Sequence, residues 1–525
     1  MTINDTSKLA ALLWAAGTMI MLSLNGRASD TPPAGSPPEI GVILWFDTED
    51  YLSPADDDAT LRLCELLTQR GIRATFKIVG EKARVLEQRG RRDVLAALRK
   101  HAIGYHANFH SVHPTPTEYL AECGWLEGVA EFARREVGGA ADVRRILEVP
   151  TLACYGHPGS SWAPQAIAAL KPIGVAPHGV PCYVDEGSHV GLNHQPFWYT
   201  GALNVFNLGP NCTRMELHDP AAVAPAKRAI SAVAQRLREQ GGGLISIYYH
   251  PCEWVHQEFW DAVNFRRGTN PPREQWQAPP QRPAAETEAA FGRFAEYIDH
   301  IRAIPGVRWV TAGDLPLLYP DLTRTSGAPE DDLTQLAERI AASDTTGLDA
   351  IRLGPRVYSL ADQFGLLAVA LDETIAGRKV QFPLNTPALF GPDSPPPTGT
   401  GSATNPSWFA FRDAVRDARQ FVASEHRVPA RVFLGPDGVA PGDFLAGMAR
   451  AWAFYRAQGR FPAAAGEGVR LGHNARLLPE QHVAEDTPGL FGGWIIHRAG
   501  FRAPKVMALA RLQAWTLKEA IRAEP

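Results

Sequence analysis

The chain has 525 residues, a formal net charge of −4 and six cysteines. This length leaves room for about two to four domains, and 45% apolar with 21% charged residues is the balance of an ordinary folded protein rather than a disordered one. A slightly acidic chain without a basic stripe excludes a general nucleic-acid binder.

The N-terminus reads as a targeting segment. Lys8 precedes an apolar run over residues 9–24, and the small residues Gly26 and Ala28 follow. Residues 1–28 thus have the form of a secretory signal peptide cleaved after Ala28. The run is short beside the roughly 20 apolar residues of a membrane span, and an uncleaved anchor is the alternative. Export would place the protein outside the cytoplasm: periplasmic, secreted or at the cell surface. Residues 29–38 (SDTPPAGSPP) have the composition of a linker.

Strand and helix signals then alternate. Residues 40–46 form a continuous apolar run suited to a buried strand. Residues 59–70 have helical periodicity, residues 74–79 form a second strand candidate, and helical stretches begin near Glu81 and Arg91. Residues 102–105 lead into a histidine cluster. Later strand candidates are residues 242–249 and 307–310, the latter preceded by a helical stretch over 287–304. This order predicts a parallel α/β layout over residues 39–322, with functional residues at the strand C-terminal ends. Residues 327–525 read as a separate, mostly helical domain. Its helices are expected over 329–342, 407–425, 440–458 and 504–523, with a Pro/Gly/Ser/Thr-rich loop at 391–406. All six cysteines (Cys64, Cys123, Cys154, Cys182, Cys212, Cys252) lie in the first half, and none forms a CxxC pair. Buried thiols with one or two bridges are expected.

The histidine cluster HAIGYHANFHSVHP (residues 101–114) places His106 and His110 at i, i+4. On one helical turn that spacing puts two imidazoles on one face, half of a divalent-metal site. The acidic cluster FDTED (residues 46–50) follows the first strand. Residues i and i+2 of a strand share a face, so Asp47 and Glu49 can enter one pocket. Two histidines and one carboxylate leave a coordination position for water, as in hydrolytic zinc centres. His250, in ISIYYHPCEW (residues 245–254), ends another strand and suits a general acid. Asp185 is a candidate to orient a histidine.

These residues resemble the polysaccharide deacetylase (NodB-homology) family, carbohydrate esterase family 4, over roughly residues 38–320. FDTED matches its acidic motif. ATFKIVG (residues 74–80) is similar to its next strand, with Lys77 inserted. HAIGYHANFH resembles its HExGxHTxxH segment, YGHPGSSW (residues 155–162) its Pro/Gly-rich loop and YYHPCEW its late histidine motif. VRWVTAGDL (residues 307–315) resembles the end of its fold. The resemblance implies a distorted (β/α)7-type barrel. It also implies one divalent ion, zinc by preference, held by His106, His110 and one of Glu49 and Asp50. Asp47 would act as base and His250 as acid. The strand-face argument favours Glu49 over Asp50. Gly159 and Ser160 would wall the substrate, and Trp162 and Trp254, beside motif residues, are candidates to stack on a sugar.

The implied activity is removal of N-acetyl or O-acetyl groups from a cell-wall or extracellular polysaccharide. One departure bears on this: the family's loop carries an arginine that braces the base, and here Gly156 or His157 sits near that place. Either another group braces Asp47 or the geometry differs. His101 reads as structural and His113 as a surface or substrate-side histidine. His157, His178, His189 and His194 make a second metal cluster conceivable. Residues 411–455 are loosely similar to the pseudomurein-binding repeat, which implies cell-wall contact through the C-terminal domain. A helical cap on the barrel is the other reading of that segment. Two further readings of the whole stay open: hydrolysis of a cyclic or non-sugar amide on the same barrel, and a non-catalytic glycan-binding protein.

Overall fold

The computed structural model describes residues 39–343, 346–385, 387–398, 405–462, 469–471 and 476–523. The expected signal peptide and linker lie outside the described residues.

Eight short strands carry the α/β part: β1 (Ile40–Thr48), β2 (Thr75–Ile78), β3 (Ala102–Tyr105), β4 (Cys182–Val184), β5 (Phe197–Tyr199), β6 (Ala202–Val205), β7 (Gly243–Tyr249) and β8 (Val307–Val310). All nine residues of β1 are buried, as a strand covered on both faces requires. Its apolar run therefore reads IGVILWF without alternation and continues into Asp47 and Thr48. β1 pairs in parallel with β7 along seven residues. Its first half also pairs with β8 and its second half with β2. β3 adds to β2, again in parallel. Single bridges through Tyr155 lead from β3 to β4, which pairs with β6. A further bridge joins Cys212 to Ser246 of β7. Among the described residues no pairing joins β6 to Cys212, and β6 instead meets the antiparallel β5.

The helices cover this sheet because their apolar residues fall on one stripe. The helix Val223–Glu239 buries Ala226, Ile230, Val233, Ala234 and Leu237, a spacing of three and four. The long helix Trp125–Leu147 buries Phe132, Ala140, Val143 and Leu147. At Gly139 it comes so close to the chain after β3 that a Cβ would lie 2.5 Å from both Asn108 Oδ1 and Tyr105 Oη.

Beyond residue 327 the helices Glu330–Ala341, Trp408–Glu425 and Pro441–Gln458 fall where their periodicity places them. A fourth helix, Leu360–Ile375, joins them in a second apolar core with Leu333, Phe411, Phe444 and Trp452. The helix expected over 504–523 is shorter. It ends at Gln513, and Lys518–Glu519 instead pairs antiparallel with β5, where the edge of the sheet offers its backbone groups partners. The described residues form one compact unit, and Val483, Phe491, Val506, Met507 and Leu517 belong to the core of the α/β part. All six cysteines are free thiols, so the expected bridges are absent.

Candidate metal centre and active-site cleft

The site forms where β1, β2, β3 and β7 end. Asp47 is the last residue but one of β1 and Glu49 follows the strand, and both line one cleft with His106, His110 and His250. The histidine pair is not on a helical turn, contrary to the expectation from its spacing. After β3 the amide of His106 still bonds Ile78 O of β2, and Ala107 and Asn108 carbonyls accept from Gly80 and Glu81. Those bonds hold the segment as a loop, with Ala107 at φ 62° and His110 at φ 55°. Left-handed backbone at two non-glycine residues is strained, and such strain collects at functional sites. The loop still brings the two rings to 4.9 Å between centroids.

Each imidazole is held through Nδ1. His106 Nδ1 donates to Gly156 O at 3.0 Å. His110 Nδ1 lies 2.6 Å from Ser111 Oγ, which donates onward to Asp261 at 3.1 Å. Both Nε2 atoms are thereby left to face Glu49. Glu49 Oε2 is 2.8 Å from His110 Nε2 and 3.5 Å from His106 Nε2. The three possible ligand atoms lie within 4.8 Å of one another, and all three residues are buried. With protons fixed on the two Nδ1 atoms, two nitrogen lone pairs and a carboxylate oxygen converge on one point. That is repulsive unless a cation or an added proton sits between them, so the donor set fits a divalent metal.

The electrostatics show a cluster that draws positive charge: burial favours the neutral His110 ring, but Glu49 outweighs it and raises the pKa of His110. Burial lowers the pKa of His106 and keeps the ring neutral, the form that binds metals. Burial opposes charge on Glu49, yet His110, His106 and His250 hold it well below the usual carboxylate range. For His250, burial favours the neutral ring, but Glu253, Glu49 and Asp47 outweigh it and raise its pKa to about 10. Its Nδ1 is 2.8 Å from Glu253 Oε1, and its Nε2 is 3.7 Å from Asp47 Oδ2. Glu253 is in turn paired with Arg214.

Asp47 has a brace that the sequence reading left unassigned. Lys77, its direct neighbour across the β1–β2 ladder, is fully buried. Its Nζ stands 2.8 Å from Asp47 Oδ1 and 3.4 Å from Asp185 Oδ2, and donates to Val184 O at 3.0 Å. The Trp45 ring lies 3.9 Å beneath it. Asp185 also accepts from the His157 amide at 2.9 Å and lies 3.1 Å from His157 Nδ1.

Asp50 is not grouped with Glu49, His106 and His110 and is engaged elsewhere. Its Oδ1 accepts from the amides of Leu52 and Ser53, its Oδ2 lies 3.2 Å from His256 Nδ1, and its carbonyl accepts from Lys82. Gly159 and Ser160 line the cleft. Trp162 and Trp254 do not: both are buried, Trp162 stacked on His189 and Trp254 packed against Phe294. The aromatic residues at the cleft are Phe259 and Trp494. His101 accepts from the Ala74 amide, and burial lowers its pKa to about 4. His113 is paired with Glu118. Glu49, His106 and His110 are the one metal-type cluster among the described residues, so His157, His178, His189 and His194 do not form a second.

No protein-family model matches the chain, and no curated protein matches it. Several solved structures are similar over about half of it. Puue allantoinase is 12% identical, with 58% of this chain and 99% of that one covered and a TM-score of 0.34. A family 4 carbohydrate esterase from Streptomyces lividans in complex with acetate is 16% identical, with 52% and 92% covered and a TM-score of 0.27. A Streptococcus mutans CE4 esterase is 13% identical, with 52% and 86% covered and a TM-score of 0.28. The likeness is partial, and the chemistry of the site rests on its own geometry.

Proposed function

We propose that the protein is a metal-dependent hydrolase that removes an acyl group from an amide or ester, as a polysaccharide deacetylase does. The observation that carries this reading is the convergence of Glu49, His106 and His110 beside the Asp47–His250 pair. Glu49 and the two histidines would hold one divalent ion, with zinc the best match to two imidazoles and a carboxylate. The ion would polarise the acyl carbonyl and lower the pKa of water. Asp47, fixed by Lys77, accepts the proton of the attacking water. His250, protonated at neutral pH and oriented by Glu253, gives its proton to the leaving nitrogen or oxygen. The backbone at Gly159 and Ser160, in the cleft wall, would supply an N–H to the developing oxyanion. The C–N or C–O bond breaks, the hydroxyl joins the acyl carbon, and a carboxylic acid leaves with an amine or alcohol. On the polysaccharide reading the acyl group is an acetyl on a glycan outside the cytoplasm, reached after export and with cell-wall contact through the C-terminal region.

The test is acid release from N- and O-acyl compounds by metal-reconstituted protein, beside His250→Asn. The variant is expected to keep its ion and lose about 10²- to 10⁴-fold in kcat. Because the acid form of His250 is required and Glu253 raises its pKa, kcat should fall on the alkaline side, as pH rises through the pKa of His250. Glu253→Gln removes the carboxylate that holds that proton, so the fall should begin at lower pH. Metal-loaded protein that releases acid from no amide or ester overturns the proposal.

A further inference from the structure

The cleft has a volume of ≈ 540 Å³, the size of a small-molecule site. Part of its wall comes from a segment distant in sequence, residues 482–503, which supplies Leu490, Trp494 and Ile495. One end is tied down where Val483 bridges Val190, with Ala484 donating to His189 O at 2.8 Å. In the middle, Ser160 Oγ donates to Phe491 O at 3.1 Å, and the buried Phe491 ring sits 4.9 Å from His189. At the far end the Arg267 amide donates to Ile495 O at 2.8 Å, and His497 Nε2 lies 3.1 Å from Thr115 Oγ1. The segment is therefore fastened to four separate loops of the α/β part. Between the fastenings it sets Trp494 into the cleft wall beside His110 and Gly159. The indole meets the His110 ring edge-on at 5.9 Å between centroids, and a Cβ on Gly159 would fall 1.9 Å from it. Gly159, at φ 50°, is thus the residue that lets the indole close down.

Two properties of the lining follow. Phe259, Ala262, Leu490, Trp494 and Ile495 make an apolar side, while Asp47, Glu49, Asp185, Glu186 and Asp261 bring carboxylates. Among the described residues no lysine or arginine lines the cleft, and the cations it would offer, protonated His250 and the proposed ion, are taken up by Asp47, Glu253 and the reacting acyl group, which leaves five carboxylates to oppose a substrate carboxylate or phosphate. We infer that this site takes compact N-acyl amines, uncharged or cationic and with an apolar face, rather than an extended glycan, and that Trp494 sets that choice. This rests on the hydrolase reading and narrows it toward a non-sugar amide. A glycan running through the site would have to displace a wall segment held at each of these points.

The test compares kcat/KM of the reconstituted full chain for N-acetylbenzylamine, N-acetyl-1,3-diaminopropane, N-acetylglutamate and chitohexaose, with binding of the product benzylamine followed by calorimetry. The expected result is turnover of the first two at least about tenfold above the last two, and benzylamine binding that Trp494→Ala weakens about tenfold, seen mainly in KM. Chitohexaose hydrolysed as well as or better than N-acetylbenzylamine overturns the size assignment and leaves the hydrolase reading in place. N-acetylglutamate at the head of the series overturns the charge assignment. Loaded enzyme that cleaves none of the four, with no benzylamine bound, overturns this inference, whereas the hydrolase reading then falls only if the wider amide and ester series also fails. The wild-type comparison decides the matter even where Trp494→Ala does not fold.

Discussion

A lysine buried beside the catalytic candidates is costly unless its charge is matched. Lys77 meets Asp47 and Asp185, so it is matched twice, and those partners hold its pKa above the ordinary value against the effect of burial. Removing one member of a buried ion pair typically costs about 3–5 kcal/mol, because the partner is left charged and unpaired. Lys77→Met should therefore lower stability by about that amount in denaturant unfolding. Lys77→Arg, which keeps the charge, should lose less stability but disturb kcat through the position of Asp47. A Lys77→Met protein as stable as wild type would contradict the pairing. The signal was present in the sequence: a cation inside ATFKIVG, level with Asp47 on the neighbouring strand, has to find an anion. Strand alternation turns Asp47 and Glu49 the same way, and the structure sets both along the cleft with His106 and His110. Asp50 does what an aspartate before a helix commonly does, accepting from the amides at residues 52 and 53.

At the scale of elements, length and apolar period sufficed where packing is regular. The buried run of β1 and the helices Trp408–Glu425 and Pro441–Gln458 stand where the pattern puts them. The pattern misled where the backbone departs from regular geometry. The spacing of His106 and His110 suits a helix, but bonds from Gly80, Glu81 and His106 hold that segment as a loop between β2 and the following helix. The same loop explains why Gly139 is a glycine. Gly139→Ala should push the helix Trp125–Leu147 from Asn108 and Tyr105, with the loss of about 1–3 kcal/mol usual for overpacking. A thermal midpoint equal to wild type would contradict that close approach. Because Asn108 lies between the two histidines in the chain, the variant should also weaken metal binding.

The whole molecule decides what the sequence could not show. Trp162 and Trp254 were attractive because they adjoin motif residues, yet both are consumed by the core. Trp494, which lines the cleft, is 335 positions from Gly159 beneath it, and no local pattern announces a contact of that range. The same is true of Asp261, which anchors His110 through Ser111 from the far side of the site. The proposed metal centre likewise depends on the ends of β1 and β3 being brought together by the sheet. The most direct test is therefore the divalent-metal content of purified, zinc-reconstituted wild-type protein beside Glu49→Gln, the His106→Ala/His110→Ala double variant and Asp50→Asn, each checked for folding by circular dichroism. The account predicts about one ion per chain in wild type and in Asp50→Asn, and loss of that ion from the other two. An ion kept by folded Glu49→Gln and lost from folded Asp50→Asn, or no ion in the wild type after reconstitution, would contradict it.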